Sequence, residues 1–244
     1  MPIILPVEKS KLNRNFKSQK FAMLGTSGIG KSTFWAQDEN ALFLETEAGL
    51  NHLEVYKVPI RSWNDLREAY GLLYKSFQDN KLQYSVIVID TIDRLIDYAQ
   101  EEVIERAKEF YKKIEINTVG DIPNGMGWFK TKEIVNTFLT KLELLPSAVA
   151  YVSHLSIKRI TDGSLSFDKS TISVGGQLGE DLLAWSDHTL HIETHLMGDK
   201  LIRKVWTKPT QSREAKSRGS VIPDGWKWTD DMKENYKYFR GLFI

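Results

Sequence analysis

The stretch Gly25-Thr-Ser-Gly-Ile-Gly-Lys31-Ser32-Thr33 fits the pattern G-x-x-x-x-G-K-[ST], and its flanks give the pattern meaning. The apolar run Phe21-Ala-Met-Leu24 before it reads as a buried strand, and Phe34-Trp35-Ala36 after it opens a helix. Glycines allow the tight turn that aims successive backbone N–H groups at phosphates. The loop formed by Gly25, Thr26, Ser27, Gly28, Ile29, Gly30, Lys31, Ser32 and Thr33 is therefore expected to cradle a nucleoside triphosphate. Lys31 is expected to reach the β- and γ-phosphates and Ser32 to ligate Mg²⁺, within the favourable field of a helix N-terminus.

Outward from the loop, continuous apolar runs alternate with helical spacing. Ala41–Leu44, Val55–Ile60, Ser85–Asp90 and Ala148–Val152 read as strands. Trp63–Phe77, the residues following Ile92, and Trp128–Leu145 carry apolar residues on one helical face. This alternation predicts an α/β fold with a mostly parallel sheet covered by helices on both faces. The second half changes character. Thr161-Asp-Gly-Ser164 and Met197-Gly-Asp-Lys200 read as turns of hairpins, and an aromatic tail follows Pro223-Asp-Gly225. No linker divides the chain, so residues 1–244 are read as one domain with a core of about 18–223.

Composition narrows the chemistry. Hydrophobic residues make up 41% and charged residues 27% of the 244, enough for a substantial core. A net charge of +1 advertises no global nucleic-acid field, so any such surface must be local. With no cysteine, disulfides, zinc–thiolate sites and thiol catalysis are excluded. The run Ile3-Ile4-Leu5 is too short for a signal peptide or a membrane span, and a cytoplasmic location without membrane partners is expected.

Asp90 ends an apolar strand, where an acid can hold the water shell of Mg²⁺ with Ser32. Hydrolysis also needs a carboxylate to polarise water. Glu45 and Glu47 both follow the strand after the phosphate loop, pointing the same way unless the strand breaks between them. The residues alone leave that choice open, with Asp93 and Glu54 as weaker candidates. His154 follows a buried strand, where a polar side chain can touch a γ-phosphate, although a lone His is more often structural. His188, His191 and His195 read as strand residues whose rings are scattered, which argues against zinc. Two segments, Ile116–Gly127 and Ser156–Gly176, read as a flexible insertion and a long loop. The second carries Lys158, Arg159 and Lys169, which suit phosphate contact or a plain solvated hairpin. Arg213-Glu-Ala-Lys216-Ser-Arg218 suits a solvated turn or a finger delivered to a neighbour's nucleotide.

The order of these motifs resembles the RecA-type recombinase core, and is most similar to the compact phage ATPases described as RecA-core single-strand annealing proteins. The motifs that carry the likeness are Leu42-Phe-Leu-Glu-Thr-Glu47-Ala-Gly-Leu50, Gly120-Asp121 through Met126-Gly127, Val152-Ser-His154 and Ser173-Val-Gly-Gly176. The resemblance implies a RecA-like fold and ATP with Mg²⁺ as ligands, and selects Glu47 as the catalytic carboxylate. It implies that His154 couples nucleotide state to the following loop, and that Lys216 and Arg218 complete a neighbour's site in a ring or filament. It makes the two loops single-stranded DNA contacts, with Asn124, Met126, Lys158, Arg159 and Lys169 as the expected residues. Recombinases usually carry Gln at the position of His154, whereas the compact phage ATPases tend to carry His.

The polymerisation and DNA-gating modules of full recombinases have no counterpart in these residues, which favours annealing with a single-strand-binding protein over strand exchange. The location implied for a phage-encoded protein is the host cytoplasm. Two rival readings use the same loop: a nucleotide-gated replication loader and a small-molecule kinase.

Overall fold

Period-two alternation in the central strands sets the two faces of the sheet. In β1 (Lys20–Gly25), Phe21 and Met23 are buried on one face, Ala22 and Leu24 on the other. The computed structural model describes Leu5, residues 7–162 and residues 165–244. After β1 come α1 (Lys31–Trp35), β2 (Ala41–Glu45), β3 (Tyr56–Pro59), α2 (Trp63–Gln78), β4 (Val86–Asp90), α3 (Ile92–Phe110), α4 (Met126–Leu142) and β5 (Ala148–Ser153). The second half adds β6 (Leu155–Asp162), β7 (Leu165–Ile172), α5 (Gly176–Trp185), β8 (His188–Met197), β9 (Lys200–Trp206), β10 (Lys216–Ser217), β11 (Trp226–Trp228) and α6 (Met232–Gly241).

The strands of the main sheet run in the order β11-β9-β8-β1-β5-β4-β2-β3, with β10 paired to β8. From β8 to β3 all neighbours are parallel, while β9, β10 and β11 pair antiparallel. The expected α/β architecture with a hairpin-rich C-terminal part is thus present. One finding goes beyond the expectation. β8 does not stand apart with the hairpins but lies beside β1, in register from Phe21–His188 to Gly25–Ile192. Strand β5 separates β1 from β4, so the phosphate-loop end of β1 and Asp90 share one edge of the sheet, two strand spacings or about 10 Å apart.

One core layer joins Leu24, Leu44, Ile89 and Tyr151 to α2, α3, α4 and α5. The other joins Met23, Phe43, Val88 and Val152 to α1 and α6. Helix α1 has only five residues, far too short to persist on propensity alone. It is held by aromatic packing: Phe34 stacks on Trp228 at 5.0 Å and 10° and meets Tyr236 and Phe239 edge-on. The aromatic tail therefore packs on the core, with Trp228 and Tyr236 buried and Tyr238 exposed.

Two expectations need correction. Ile116–Gly127 is not a flexible insertion. Two tight 3-10 turns, Val119–Asp121 and Pro123–Gly125, bury Ile116, Val119 and Ile122 against Val103 and Ala107. The first turn packs so closely on α4 that a Cβ on Gly127 would lie 2.0 Å from the Val119 carbonyl oxygen. Of the two alternatives left open for Ser156–Gly176, the structure shows the hairpin, antiparallel β6–β7, leading into α5. Its expected turn lies partly outside the described residues, at Gly163 and Ser164, as do Ile3 and Ile4 of the N-terminal run. The second correction concerns the histidines on β8, which are not all scattered. His191, Glu193 and His195 share a face, and Glu193 lies 3.3 Å from both rings. His188 faces the other way, stacked on Phe21, and burial pushes its pKa down to about 4. Among the described residues no group of His, Asp and Glu side chains has the makings of a metal site, and no helix is long and apolar enough to cross a membrane.

Phe239 lies fully buried where α6 meets Phe16, Phe21, Phe34 and Trp35. Phe239→Ala is expected to lower unfolding stability by about 3–5 kcal/mol in a denaturant titration. A loss below about 1 kcal/mol would mean that α6 is not part of the folding unit.

Candidate active site

The edge formed by the C-terminal ends of β1, β2, β4 and β5 opens into a cleft of about 350 Å³ lined by the phosphate loop, Glu47, Asp90, Thr91 and His154. Gly28 and Gly30 take φ values of +74° and +106°, a region closed to most side chains, and this lets the loop wrap the cleft. Lys31 is buried at the base, where its Nζ donates to the carbonyl oxygens of Gly25 at 2.7 Å and Thr26 at 2.9 Å. Burial pulls the Lys31 pKa down, while Asp90, Asp93 and Glu47 oppose that shift. A buried ammonium in the curl of a glycine loop is a cation poised for phosphate oxygens.

Asp90 is buried beneath the loop. Burial raises its pKa, and the Ser32 hydroxyl and the Lys31 ammonium pull the other way. Its Oδ2 is buried without a hydrogen-bond partner among the described residues. An unpaired carboxylate oxygen beside a serine hydroxyl and a phosphate cradle fits Mg²⁺, which takes few protein oxygens and keeps waters and phosphate oxygens for the rest. Ser32 and Asp90 are the residues that would hold it.

The two glutamates part company because β2 ends at Glu45. There the Asp90 carbonyl oxygen accepts from the N–H groups of both Thr46, at 3.0 Å, and Glu47, at 3.2 Å. Glu45 turns inward and is committed to structure, accepting from Lys57 Nζ at 3.3 Å and from the Leu50 N–H at 3.4 Å. Glu47 turns into the cleft, where Thr91 Oγ1 donates to its Oε2 at 3.3 Å and His154 Nε2 lies 3.6 Å from the same oxygen. Its side chain is 55% exposed, so water has access to it. Of the two carboxylates, only Glu47 lines the cleft.

Asp93, a weaker candidate for the base, has a different position. Its Oδ2 accepts from the His154 N–H at 3.2 Å and its Oδ1 from Ser153 Oγ at 3.2 Å. Ser153 Oγ also lies 3.2 Å from Ser173 Oγ, and the Ser173 N–H donates to the His154 carbonyl oxygen. Asp93 thus anchors the backbone of His154 and the segment leading into α5. A lone acid in the first turn of a helix carries no sequence signal for that role.

The other expected residues lie elsewhere. Lys216 donates to the Leu183 and Ala184 carbonyl oxygens, and Arg218 donates to Ala184 and to Asp187 at 2.8 Å. Both cations sit at the C-terminal end of α5, where exposed carbonyls attract positive charge. That places them near Lys20, separated from their own phosphate loop by the length of β1. Arg213 is also committed, to Glu193 at 2.9 Å and to the face of Trp206.

Asn124 and Met126 are exposed at the tight turn before α4. Lys158 and Arg159 are exposed on β6, whereas Lys169 is half-buried and paired with Glu214 at 2.5 Å. Lys169 therefore ties the hairpin to the segment that carries Arg213, Lys216 and Arg218, and is not a free cation.

The family model described as AAA domain matches residues 17–219 of this chain. No curated protein sequence matches it. Among solved structures, a KaiC-like protein from the hyperthermophilic archaeon Pyrococcus horikoshii aligns at 14% identity and a TM-score of 0.46, covering 86% of this chain and 84% of that one.

Two substitutions test the site. Lys31→Ala is expected to weaken ATP binding about a hundredfold, roughly 2.7 kcal/mol, while leaving thermal unfolding cooperative. Wild-type affinity in a calorimetric titration would displace the site. Glu47→Gln is expected to retain ATP binding and lose about 10²–10⁴-fold in turnover, whereas Glu45→Gln changes turnover little. The reverse ranking would move the base to Glu45.

Proposed function

The chain belongs to the AAA domain family, and on that premise we propose that its ATP turnover serves DNA recombination of the phage type, with single-stranded DNA as the polymer it engages. The chain is a P-loop ATPase core. In the proposed reaction Lys31 and the loop N–H groups hold the triphosphate, and Glu47 accepts the proton of the attacking water. Thr91 and His154 fix the orientation of the Glu47 carboxylate. Mg²⁺, held by Ser32 and Asp90, would supply charge neutralisation at the phosphates.

The observation that carries the DNA reading is a groove of about 850 Å³ lined in part by Asp93, whose carboxylate accepts from the backbone of His154 in the active-site cleft. On its wall Trp128 and Phe129 are 58% and 57% exposed. Exposed rings beside a groove suit the stacking of unpaired bases, which tolerates any sequence. Lys132 in the same wall is paired with Asp181 at 2.8 Å, so stacking rather than charge is the stronger attraction there. Lys158 and Arg159 on the hairpin are the phosphate contacts of this reading. The Asp93 bonds to His154 and Ser153 support a route by which nucleotide state reaches the groove. Lys216 and Arg218 would leave the α5 carbonyls to complete the site of a second copy, so turnover in this reading depends on assembly. A single-strand-binding protein is the natural partner for annealing.

Steady-state ATP hydrolysis with no DNA, duplex DNA and single-stranded DNA tests the reading, with Lys31→Ala as the blank. Stimulation by single strands is expected, and the pair Trp128→Ala/Phe129→Ala is expected to need about tenfold more DNA for half-stimulation. Turnover indifferent to DNA would instead favour a small-molecule kinase, and no turnover would favour a nucleotide-gated loader.

A further inference from the structure

Arg203, on β9, is remote in sequence from the phosphate loop yet touches it. Its Nη1 donates to the Ile29 carbonyl oxygen at 3.4 Å, a long bond, and its guanidinium packs against Gly30. A Cβ on Gly30 would lie 3.2 Å from that Nη1 and 3.0 Å from Met232 Cε, so the outer side of the loop is filled by Arg203 and Met232. The guanidinium is itself held in place. It lies 5.9 Å from the centre of the Trp228 ring, and its Nη2 donates to the Thr229 carbonyl oxygen at 3.5 Å. Asn235 fixes that residue from within α6, accepting from the Thr229 N–H and donating to its carbonyl oxygen, each at 2.9 Å. Asp230, 3.7 Å away, is fully exposed and offers Arg203 little.

The Ile29 carbonyl and the Gly30 N–H belong to one planar trans peptide and point in opposite directions. A donor that holds the carbonyl on the outside therefore turns the N–H toward the cleft, which Gly30 lines. Gly30, at φ +106°, has the backbone freedom to rotate that peptide away if nothing holds it. We propose that Arg203 is a positioning residue for phosphate binding. It acts through the Ile29–Gly30 peptide and is braced by Trp228, Thr229 and Asn235 of the C-terminal segment. This inference rests on the phosphate-site assignment and gives the aromatic tail a task beyond packing.

The test is a calorimetric titration of the full chain with ATP and with tripolyphosphate, each in the presence of Mg²⁺. Arg203→Met keeps an unbranched stem beside Trp228 and removes the donor. It is expected to weaken both ligands by the same factor of about ten. Arg203→Lys, which keeps a cation, is expected to recover part of that loss. Both variants are expected to unfold at the wild-type midpoint without ligand. Wild-type affinity in Arg203→Met, or a loss for ATP that tripolyphosphate does not share, overturns the proposal. If Lys31→Ala also binds tripolyphosphate as wild type does, the phosphate site itself is misplaced, an outcome distinct from the failure of Arg203 alone.

Discussion

The buried ammonium of Lys31 is the constraint around which the molecule is arranged. An unpaired cation there would cost several kcal/mol, so the loop must bend its Gly25 and Thr26 carbonyls onto Nζ. That bend requires glycines at Gly28 and Gly30, a strand that stops at Gly25, and a helix that starts at Lys31 itself. Asp90, one intervening strand away, supplies the opposing charge, while its own burial pushes its pKa up. Each group is unfavourable alone in the core, and together they line one cleft with the phosphate loop.

The rest of the fold serves to keep that loop still. Helix α1 is too short to support it, and the support comes from the far end of the chain. Strands β9 and β11 carry Arg203 and Trp228 to the outer side of the loop, and α6 closes over Phe34. On the inner side, the Asp90 carbonyl gathers the N–H groups of Thr46 and Glu47, which sets Glu47 beside the cleft. Thr91 both caps α3 and donates to Glu47, so the helix start and the Glu47 carboxylate are aligned by one side chain. Farther out, Asp93 joins α3, the end of β5 and the start of α5.

What the sequence made legible were features decided by local pattern. The phosphate loop, the buried parallel strands and the long amphipathic helices each carry their own period. Even α6 was written in the spacing Met232, Tyr236, Phe239 after the Asp231 cap, although the aromatics there read as a tail. Features decided by distant partners were not legible. Glu45 and Glu47 are alike in sequence, and they are told apart by Lys57 and by the strand end. Turn-type residues in 116–127 suggested mobility, but Ile116, Val119 and Ile122 bury the turns. Alternation marked β8 as a strand without saying that it joins β1, and nothing near Arg203 points to the loop 170 or so residues earlier that it braces.

The most direct measurement is a crystal structure with Mg²⁺ and a non-hydrolysable ATP analogue. Lys31 Nζ is expected to leave the Gly25 and Thr26 carbonyls for the phosphates, with Ser32 and Asp90 flanking the metal and Glu47 facing the γ-phosphate. Phosphates bound away from Gly25–Thr33, with Lys31 still on its two carbonyls, would overturn the assignment of the phosphate site.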